Sequence, residues 1–230
     1  MKIIVLFSGG LDSTTLLYKA VRTVGKENVI ALSLFYGQKH AKELEYSNWT
    51  CEHLGVSHIT EDMSNVFRFN PSVCSLLQES QKDIETGTYA EQQKSSEGRP
   101  VATYVPYRNG LFLSYAAALA LQLGASEIWY GAHKDDAAGS AYPDCSFAFV
   151  RSQAEAIQLG TGGEISVKAP WVSFTKADIV SYGIHQLEMS HEEFLHTWSC
   201  YNGQSEPCKV CGTCLDRKQA FLTNGITDID

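Results

Sequence analysis

A run of apolar residues that leads directly into two glycines constrains the fold of this chain more than any other feature. Residues 2–7 (KIIVLF) predict a short β-strand, and the apolar residues between positions 16 and 24 recur at helical spacing until Gly25. The predicted order is therefore strand, tight turn, helix. A helix start leaves backbone N–H groups unpaired and carries partial positive charge, so Gly9 and Gly10 allow a phosphate to approach those donors.

The turn leaves two interpretations open. Ser8, Ser13 and Thr14 add hydroxyl groups to a phosphate site, but a plain βα turn in which Asp12 or Ser13 caps the helix uses the same residues. The turn contains no lysine, so it is not the GxxxxGK[ST] pattern, and the absence of GxGxxG gives no support for a dinucleotide fold.

Strand and helix patterns alternate along most of the chain. Strands are predicted at residues 28–35, 56–60, 127–131 and 165–169, and helices at 39–54, 108–123 and 176–187. The first of these helices places Ala41, Leu44, Cys51 and Leu54 on one side. This alternation predicts an α/β fold with a doubly wound, mostly parallel, Rossmann-like sheet. Residues 78–99 are polar and charged, which predicts a mobile loop or lid.

Four of the seven cysteines fall close together near the end of the sequence. Cys200, Cys208, Cys211 and Cys214 have the spacing of metal ligands, and a helix at residues 216–221 follows them. Four thiolates favour a structural zinc ion with a closed coordination shell, while an iron–sulfur cluster and four unliganded cysteines are the alternatives. Among the other cysteines, Cys51 and Cys74 are expected to be apolar fillers.

The charge balance bears on the partners of the protein. Eighteen basic against 26 acidic residues give a net charge of −8, which favours a small-molecule partner over nucleic acid. No apolar run reaches the length of about 18 residues that a membrane span needs, and the first residues do not resemble a leader. We therefore expect a cytoplasmic protein with no membrane partner.

Six motifs in order identify a family resemblance. They are SGGLDSTT, FYGQKH from Phe35, VPYRN from Val105, YPDC from Tyr142, SFTKAD from Ser173 and TWSCY from Thr197 with the closing cysteines. The first resembles the pyrophosphatase-type loop of the N-type ATP pyrophosphatases, and the full set resembles the 7-cyano-7-deazaguanine synthase family of queuosine biosynthesis.

This resemblance implies an adenine nucleotide α hydrolase-like domain at residues 1–190 and a zinc module at 191–230 packed on it. It further implies a homodimer with one structural zinc per chain and Mg²⁺ bound with ATP. The implied reaction converts 7-carboxy-7-deazaguanine, ammonia and ATP into 7-cyano-7-deazaguanine (preQ0) through an acyl adenylate and an amide. Two alternatives stay open: a related adenylating enzyme that stops at the amide or modifies tRNA, and a non-catalytic nucleotide-binding protein.

The resemblance also implies roles for particular residues. ATP is expected to bind at Phe7, Ser8, Gly9, Gly10, Leu11, Asp12, Ser13, Thr14, Thr15, Leu16 and Leu17. The expected catalytic residues are Asp12, Arg108, Lys176, Asp144 and Cys145. The expected substrate-binding residues are Tyr36, Gln38, Arg108, Asn109 and Asp144.

For several of these residues, a purely structural or surface role is the alternative to a role in binding or catalysis. Asp12 is either a direct or water-mediated Mg²⁺ ligand or a helix cap, and Arg108 and Lys176 either bind substrate anions or are solvated charges. Residues 133–136 (HKDD) follow a strand end where open sheets bind ligands, but also suit a solvated loop. His40 at a helix entry is expected to be a cap or surface residue rather than a proton shuttle.

The chain departs from the family pattern at three positions. Tyr107 stands where the family often has Gly, Ser146 stands where Arg is common, and Lys209 replaces a frequent Gly.

Overall fold

The computed structural model describes residues 1–40 and 42–227 and contains one parallel sheet of five strands. The strands are β1 (Ile3–Leu6), β2 (Val29–Phe35), β3 (Ser57–Asp62), β4 (Glu127–Trp129) and β5 (Ser166–Lys168). Their order across the sheet is β3-β2-β1-β4-β5, and every pairing is parallel. The predicted doubly wound, Rossmann-like fold is confirmed. The strand order reverses beside β1, which is where open α/β sheets bind their ligands.

Ten α-helices connect and cover the strands in the part of the chain that the structure describes. They are α1 (Leu11–Val24), α2 (Glu43–Leu54), α3 (Ser64–Phe67), α4 (Tyr89–Ser95), α5 (Arg108–Leu123), α6 (Lys134–Ala137), α7 (Phe147–Gly160), α8 (Lys176–Gln186), α9 (His191–Leu195) and α10 (Gly212–Thr223). Within residues 1–40 and 42–227, no helix combines the length and the hydrophobicity that crossing a lipid bilayer requires.

The two faces of the sheet are buried in separate apolar cores. Along β1, Ile4 belongs to one core, while Ile3 and Val5 belong to the other. Because successive side chains of a strand point to opposite faces, this alternation shows that β1 is covered on both sides. The mostly apolar helix α5 packs in the first core and α1 in the second. The β1–α1 turn therefore starts from the central strand of the sheet, which is covered on both faces.

The start of α2 differs from its prediction. The helix begins at Glu43 rather than at residue 39, and Ala41 lies outside the described residues. The N–H of Lys39 donates to the carbonyl of Leu76 at 2.7 Å instead of joining a helix, and the side-chain oxygen of Gln38 accepts from the N–H of Tyr36 at 2.8 Å. These hydrogen bonds hold the residues after β2 in a turn, so the helix begins later in the sequence than predicted.

Residues 78–99, predicted to be a mobile loop or lid, are anchored to the rest of the fold by three contacts, and their mobility stays a prediction. Ile84 and Tyr89 are buried in the first core, and Thr86 pairs with Cys211 in an isolated bridge. The segment also contains α4, whose Thr88 and Glu91 form a reciprocal capping box. Two of its few apolar residues thus decide its packing.

The C-terminal helix α10 begins at Gly212, earlier than the predicted start at residue 216, so Cys214 lies in its first turn. Ala220 and Phe221 are buried in the second core together with Ile3 and Val5 of the central strand. The cysteine segment, which we define as residues 197–223, therefore shares a core with the sheet.

Candidate active site

A cleft lies at the carboxyl ends of β1, β2 and β4, beside the reversal of strand order. Most of the predicted site residues line it: Phe7, Ser8, Gly10, Leu11, Asp12, Ser13, Tyr36, Gln38, Arg108, Asn109, Cys145 and Lys176. The other predicted residues are buried: Gly9, Thr14, Thr15, Leu16, Leu17 and Asp144. Leu16 and Leu17 belong to the second core, so their role is packing.

The glycine turn presents an uncapped helix start to the cleft. The residue before α1 is Gly10, and in this described segment no side chain caps the helix. Asp12 lies inside the first turn, so neither it nor Ser13 is the cap that the alternative interpretation required. The Ser13 hydroxyl donates to the carbonyl of Gly10 at 3.1 Å and accepts from the N–H of Ser8 at 3.2 Å, which holds the turn in shape. Free N–H groups with partial positive charge can bind an anion here.

Gly9 is required by close packing as well as by its backbone angle. Its φ is +84°, and a Cβ built there would lie 2.4 Å from the carbonyl oxygen of Glu43 and 2.8 Å from the backbone nitrogen of Ser47. No side chain fits between the turn and α2. The start of α2 therefore lies directly against the turn.

Asp12 is the centre of a buried charge cluster. Its Oδ2 is 3.0 Å from Nζ of Lys176 and 3.5 Å from Nε2 of His133, and that His133 nitrogen is 3.2 Å from Oδ2 of Asp136. Lys176 is 7% exposed and His133 is 1% exposed. Of the HKDD segment, His133 is buried and Asp136 contacts it from a partly exposed position, while Lys134 is exposed.

Neighbouring charges oppose the effect of burial on the pKa values of Asp12 and His133. Burial alone would raise the pKa of Asp12, but Lys176 and His133 outweigh burial and hold that pKa well below its usual range. Burial alone would lower the pKa of His133, but Asp136 and Asp12 outweigh it and raise that pKa. Oδ1 of Asp12 is buried and has no hydrogen-bond partner among the described residues. A carboxylate oxygen in this state can take a divalent cation or a water bound to one.

Arg108 and Tyr36 form a second wall of the cleft. Nη1 of Arg108 donates to the hydroxyl of Tyr36 at 2.9 Å, and the guanidinium lies 5.1 Å from the centre of the Tyr36 ring. Burial raises the pKa of Tyr36 to about 12, so the hydroxyl stays protonated near neutral pH. Arg108 is therefore a fixed cation on the wall rather than a solvated surface charge.

Asn109 and Asp144 hold each other beside this wall. Oδ2 of Asp144 accepts from the N–H of Asn109 at 2.9 Å, and the Asn109 side chain contacts Sγ of Cys145 at 3.3 Å. Burial raises the pKa of Asp144 and raises that of Cys145 well above its usual value. Cys145 is therefore a neutral thiol near neutral pH, which is the unreactive form of a cysteine nucleophile.

The four clustered cysteines lie together as the sequence spacing predicts. Sγ atoms of Cys200, Cys208, Cys211 and Cys214 are all within 4.8 Å of one another. Backbone N–H groups of Asn202 and Cys208 donate to Sγ of Cys200 at 3.4 and 3.3 Å. Hydrogen bonds from the Cys211 and Cys214 thiols, together with these, lower the pKa of Cys200. Four converging sulfur atoms with N–H donors can hold a metal ion.

The cysteine segment is joined directly to the cleft. The N–H of Trp198 donates to the carbonyl of Gly9 at 3.0 Å, and Trp198, Ser199 and Tyr201 line the cleft. The hydroxyl of Tyr89 donates to the hydroxyl of Tyr201 at 3.4 Å, which connects the 78–99 segment to the same wall. Sequence reasoning missed this connection, because contacts between distant segments leave no local pattern.

Sequence reasoning also misjudged His40. The residue is 2% exposed and lines the cleft, with Nε2 at 3.4 Å from Oε2 of Glu43. It is neither a cap nor a surface residue. Its place directly after β2, at the edge of the sheet where ligands bind, is the signal that could have found it.

The parallel sheet and the uncapped glycine turn define a Rossmann-like α/β protein with an anion-binding cleft. Two solved structures share this fold. NMN synthetase from Francisella tularensis matches with a TM-score of 0.51 and 16% identity, covering 97% of this chain and 77% of that one. The U34-tRNA thiolase NcsA from Methanococcus maripaludis, solved with its [4Fe-4S] cluster, matches with a TM-score of 0.51 and 15% identity, covering 99% and 65%.

The family follows from sequence comparison. A family model described as queuosine biosynthesis protein QueC matches residues 2–225. The 7-cyano-7-deazaguanine synthase of Archaeoglobus fulgidus is 41% identical over 229 residues, which cover 99% of this chain and 89% of the relative. That of Caldicellulosiruptor bescii is 39% identical, covering 99% and 96%. The chain belongs to the QueC family, and the resemblance predicted from the six motifs is confirmed.

Proposed function

We propose that this chain is an ATP-dependent ligase that converts 7-carboxy-7-deazaguanine and ammonia into 7-cyano-7-deazaguanine. The observation that carries the proposal is the cleft itself: an uncapped glycine turn and the Arg108–Tyr36 wall line one space, in a member of this family. The glycine turn suits a polyphosphate, and the Arg108–Tyr36 wall suits an anionic, planar substrate. Curated relatives named for this product extend over 99% of the chain.

The chemistry requires two activations. A carboxylate must lose both oxygens to become a nitrile, and neither oxygen is a leaving group near neutral pH. We propose that the carboxylate first attacks the α-phosphorus of ATP to give an acyl adenylate, from which ammonia displaces AMP. The amide oxygen then attacks a second ATP, and loss of AMP leaves the nitrile. Pyrophosphate is released in each round.

The glycine turn and Lys176 are the proposed phosphate site. N–H groups at the start of α1 bind the β- and γ-phosphates, and their fixed direction stabilises the charge that develops on pyrophosphate. Lys176, already held by Asp12, supplies a cation beside them. Mg²⁺ bound with ATP would neutralise phosphate charge, and the unpartnered Oδ1 of Asp12 fits a direct or water-mediated contact with it.

The proposed substrate residues surround Arg108. Its guanidinium binds the substrate carboxylate, Tyr36 orients the guanidinium, and Asn109 and Gln38 contact the purine-like edge from the lining. Asp144 fixes Asn109 from behind through the 2.9 Å hydrogen bond. Cys145 is proposed to contact the substrate as a thiol, without covalent attack, because its pKa is raised.

We further propose a structural zinc at the cysteine cluster and a homodimer in the cytoplasm. The four sulfur atoms leave no open coordination position for a substrate, which supports zinc over a catalytic metal. A colourless protein that releases about one zinc per chain is expected, and a brown protein with an iron–sulfur spectrum contradicts the assignment. Analytical ultracentrifugation measures the molecular mass in solution, which should be that of two chains.

Product analysis tests the main proposal. The protein is given 7-carboxy-7-deazaguanine, ammonium and ATP, and the products are identified by mass while pyrophosphate is measured. We expect the nitrile and pyrophosphate release that depends on the acid. Accumulation of the amide identifies an enzyme that stops halfway, and ATP binding without turnover identifies a non-catalytic binding protein. The net charge of −8 argues against a tRNA substrate, and the same assay with tRNA checks that alternative.

A further inference from the structure

A buried histidine–glutamate pair on the cleft wall has no role in the reaction as described so far. His40 is 98% buried and Glu43 is nearly as buried, and Nε2 of His40 lies 3.4 Å from Oε2 of Glu43. The second ring nitrogen of His40, Nδ1, is buried and has no hydrogen-bond partner in the described part of the chain. Both residues line the cleft, and no protein group among the described residues competes for this nitrogen.

The pair lies between the two walls of the cleft. Gly10 lies in the proposed phosphate turn, and a Cβ built on it would lie 3.8 Å from Oε1 of Glu43. On the other side, the His40 ring packs at 6.4 Å from the ring of Tyr36, whose hydroxyl accepts from Arg108. In the proposed reaction, ATP binds at the glycine turn and the rest of the substrate binds at the Arg108–Tyr36 wall. The substrate carbon that is activated must lie between them. The histidine therefore flanks the place where that carbon reacts.

The surroundings of His40 suit a group that gains and loses a proton. The ring faces Glu43 in its own segment, Tyr36 at the end of β2 and Tyr201 of the cysteine segment, with the Tyr201 ring at 5.2 Å. Glu43 can compensate the positive charge of an imidazolium, and both tyrosines keep their protons because burial raises their pKa values. Histidine is the usual side chain for proton transfer near neutral pH.

We propose that His40, supported by Glu43, is the base that removes protons from the nitrogen atom that becomes the nitrile. This inference rests on the proposed function. In the first round the ammonia nitrogen bonds to the carbonyl carbon of the acyl adenylate, the C–O bond to AMP breaks, and the nitrogen gives a proton to His40. In the second round the amide oxygen bonds to the α-phosphorus of ATP, pyrophosphate leaves, and the nitrogen gives one N–H proton to His40, which forms the O-adenylyl imidate. After His40 has lost that proton, the imidate gives it the remaining N–H proton, the electrons of that bond complete the C≡N bond, and the C–O bond to AMP breaks. His40 returns each proton to water.

The test separates adenylation from the steps at nitrogen. Adenylation is measured as acid-dependent exchange of labelled pyrophosphate into ATP, and amide and nitrile formation are measured by mass. We expect His40→Asn to keep exchange within about threefold of wild type and to slow amide and nitrile formation by roughly 100-fold or more. Glu43→Gln should slow the same two steps by about tenfold, because the imidazole remains. His53→Asn, on the exposed side of α2, is the matched control and should match wild type.

Two further measurements distinguish a base from a structural residue. Once bonded to the carbonyl carbon, the nitrogen of hydroxylamine loses its proton more readily than that of ammonia, because its hydroxyl group withdraws electrons, so hydroxamate formation by His40→Asn should be less impaired than amide formation. Nitrile formation from supplied amide should stay slow, since that step still needs the base. If His40→Asn does not fold, Glu43→Gln must show the same division between exchange and the later steps.

The inference fails if exchange falls together with nitrile formation, because the pair then positions ATP. It also fails if all three rates are unchanged in both variants. If wild-type protein shows no acid-dependent exchange, the proposed function is wrong, whatever the variants do.

Discussion

His133 is held between two carboxylates, so its protonation contributes to the stability of the cleft. Nε2 lies 3.2 Å from Asp136 and 3.5 Å from Asp12, and these charges raise the pKa of His133 against the effect of burial. A base whose pKa is higher in the folded state stabilises the fold below its unfolded pKa of about 6.5. That stabilisation is lost as the pH rises through the folded pKa.

We therefore expect the cost of His133→Gln to depend on pH. Wild type should exceed the variant in free energy of unfolding by about 1–3 kcal/mol at pH 6, and the difference should shrink as the pH rises to 9. Denaturant unfolding at several pH values, in buffer without divalent cations, measures this. A difference that grows with pH would contradict the charged contact.

Two of the three departures from the family pattern fall where the backbone is left-handed. Tyr107 has a φ of 58° and Lys209 a φ of 61°, and glycine adopts these angles without strain. The third departure, Ser146, caps α7, since its hydroxyl accepts from the N–H of Phe149 at 3.2 Å. The positive φ angles at residues 107 and 209 explain why the family often has glycine there. These angles cannot be read from the sequence alone.

The backbone at residue 107 leads to a comparison of two substitutions. Tyr107→Gly should change the free energy of unfolding by less than about 1 kcal/mol, because relief of strain offsets lost ring contacts. Tyr107→Val should be less stable than Tyr107→Gly by about 1–2 kcal/mol, because a β-branched side chain fits poorly at positive φ. Urea unfolding of both variants decides this, and equal stabilities would show that residue 107 carries no strain.

At the scale of elements, the glycine turn that we propose as the phosphate site packs directly against α2. We expect Gly9→Ala to lower the free energy of unfolding by about 2 kcal/mol or more, because its Cβ would meet backbone atoms of Glu43 and Ser47. ATP binding should fall with it, as α2 moves. Gly163→Ala is the matched control: its φ is also positive, at 89°, but no atom lies within 4 Å, so only about 1 kcal/mol is expected. Calorimetry with ATP and thermal unfolding measure both effects, and similar losses in the two variants would exclude the packing argument.

The strands were predictable from sequence, and the elements with mixed burial were not. Buried parallel strands such as β1 and β2 are continuous apolar runs, which is a strong signal. Helix α7 was missed because only Val150 and Ile157 of its 14 residues are buried, so its apolar pattern is weak. The glycine turn and the four cysteines were found because their spacing carries their chemistry. The roles of His40 and Tyr201 depend on contacts between distant segments and required the structure.

At the scale of the whole molecule, the cysteine cluster and the sheet should unfold together. Phe221 and Ala220 of α10 share a core with β1, and Trp198 donates to Gly9. We expect a single thermal transition whose midpoint falls by roughly 10 °C when a chelator removes the metal or in Cys211→Ser. Differential scanning calorimetry with metal analysis measures this.

Cys51→Ala is the control, because that cysteine is buried outside the cluster and should leave the metal content unchanged. Two separate transitions, with only the smaller one sensitive to the chelator, would show that the cysteine segment is an independent unit.

The hydrogen bond from Trp198 to Gly9 spans nearly the whole chain and sets an order of events during synthesis. The ribosome releases the glycine turn first, but the residue that fixes its carbonyl is made almost last. A nascent or prematurely terminated chain would carry an unfinished nucleotide pocket. A complete turn would thus arrive only after Trp198 and the segment around it have been made.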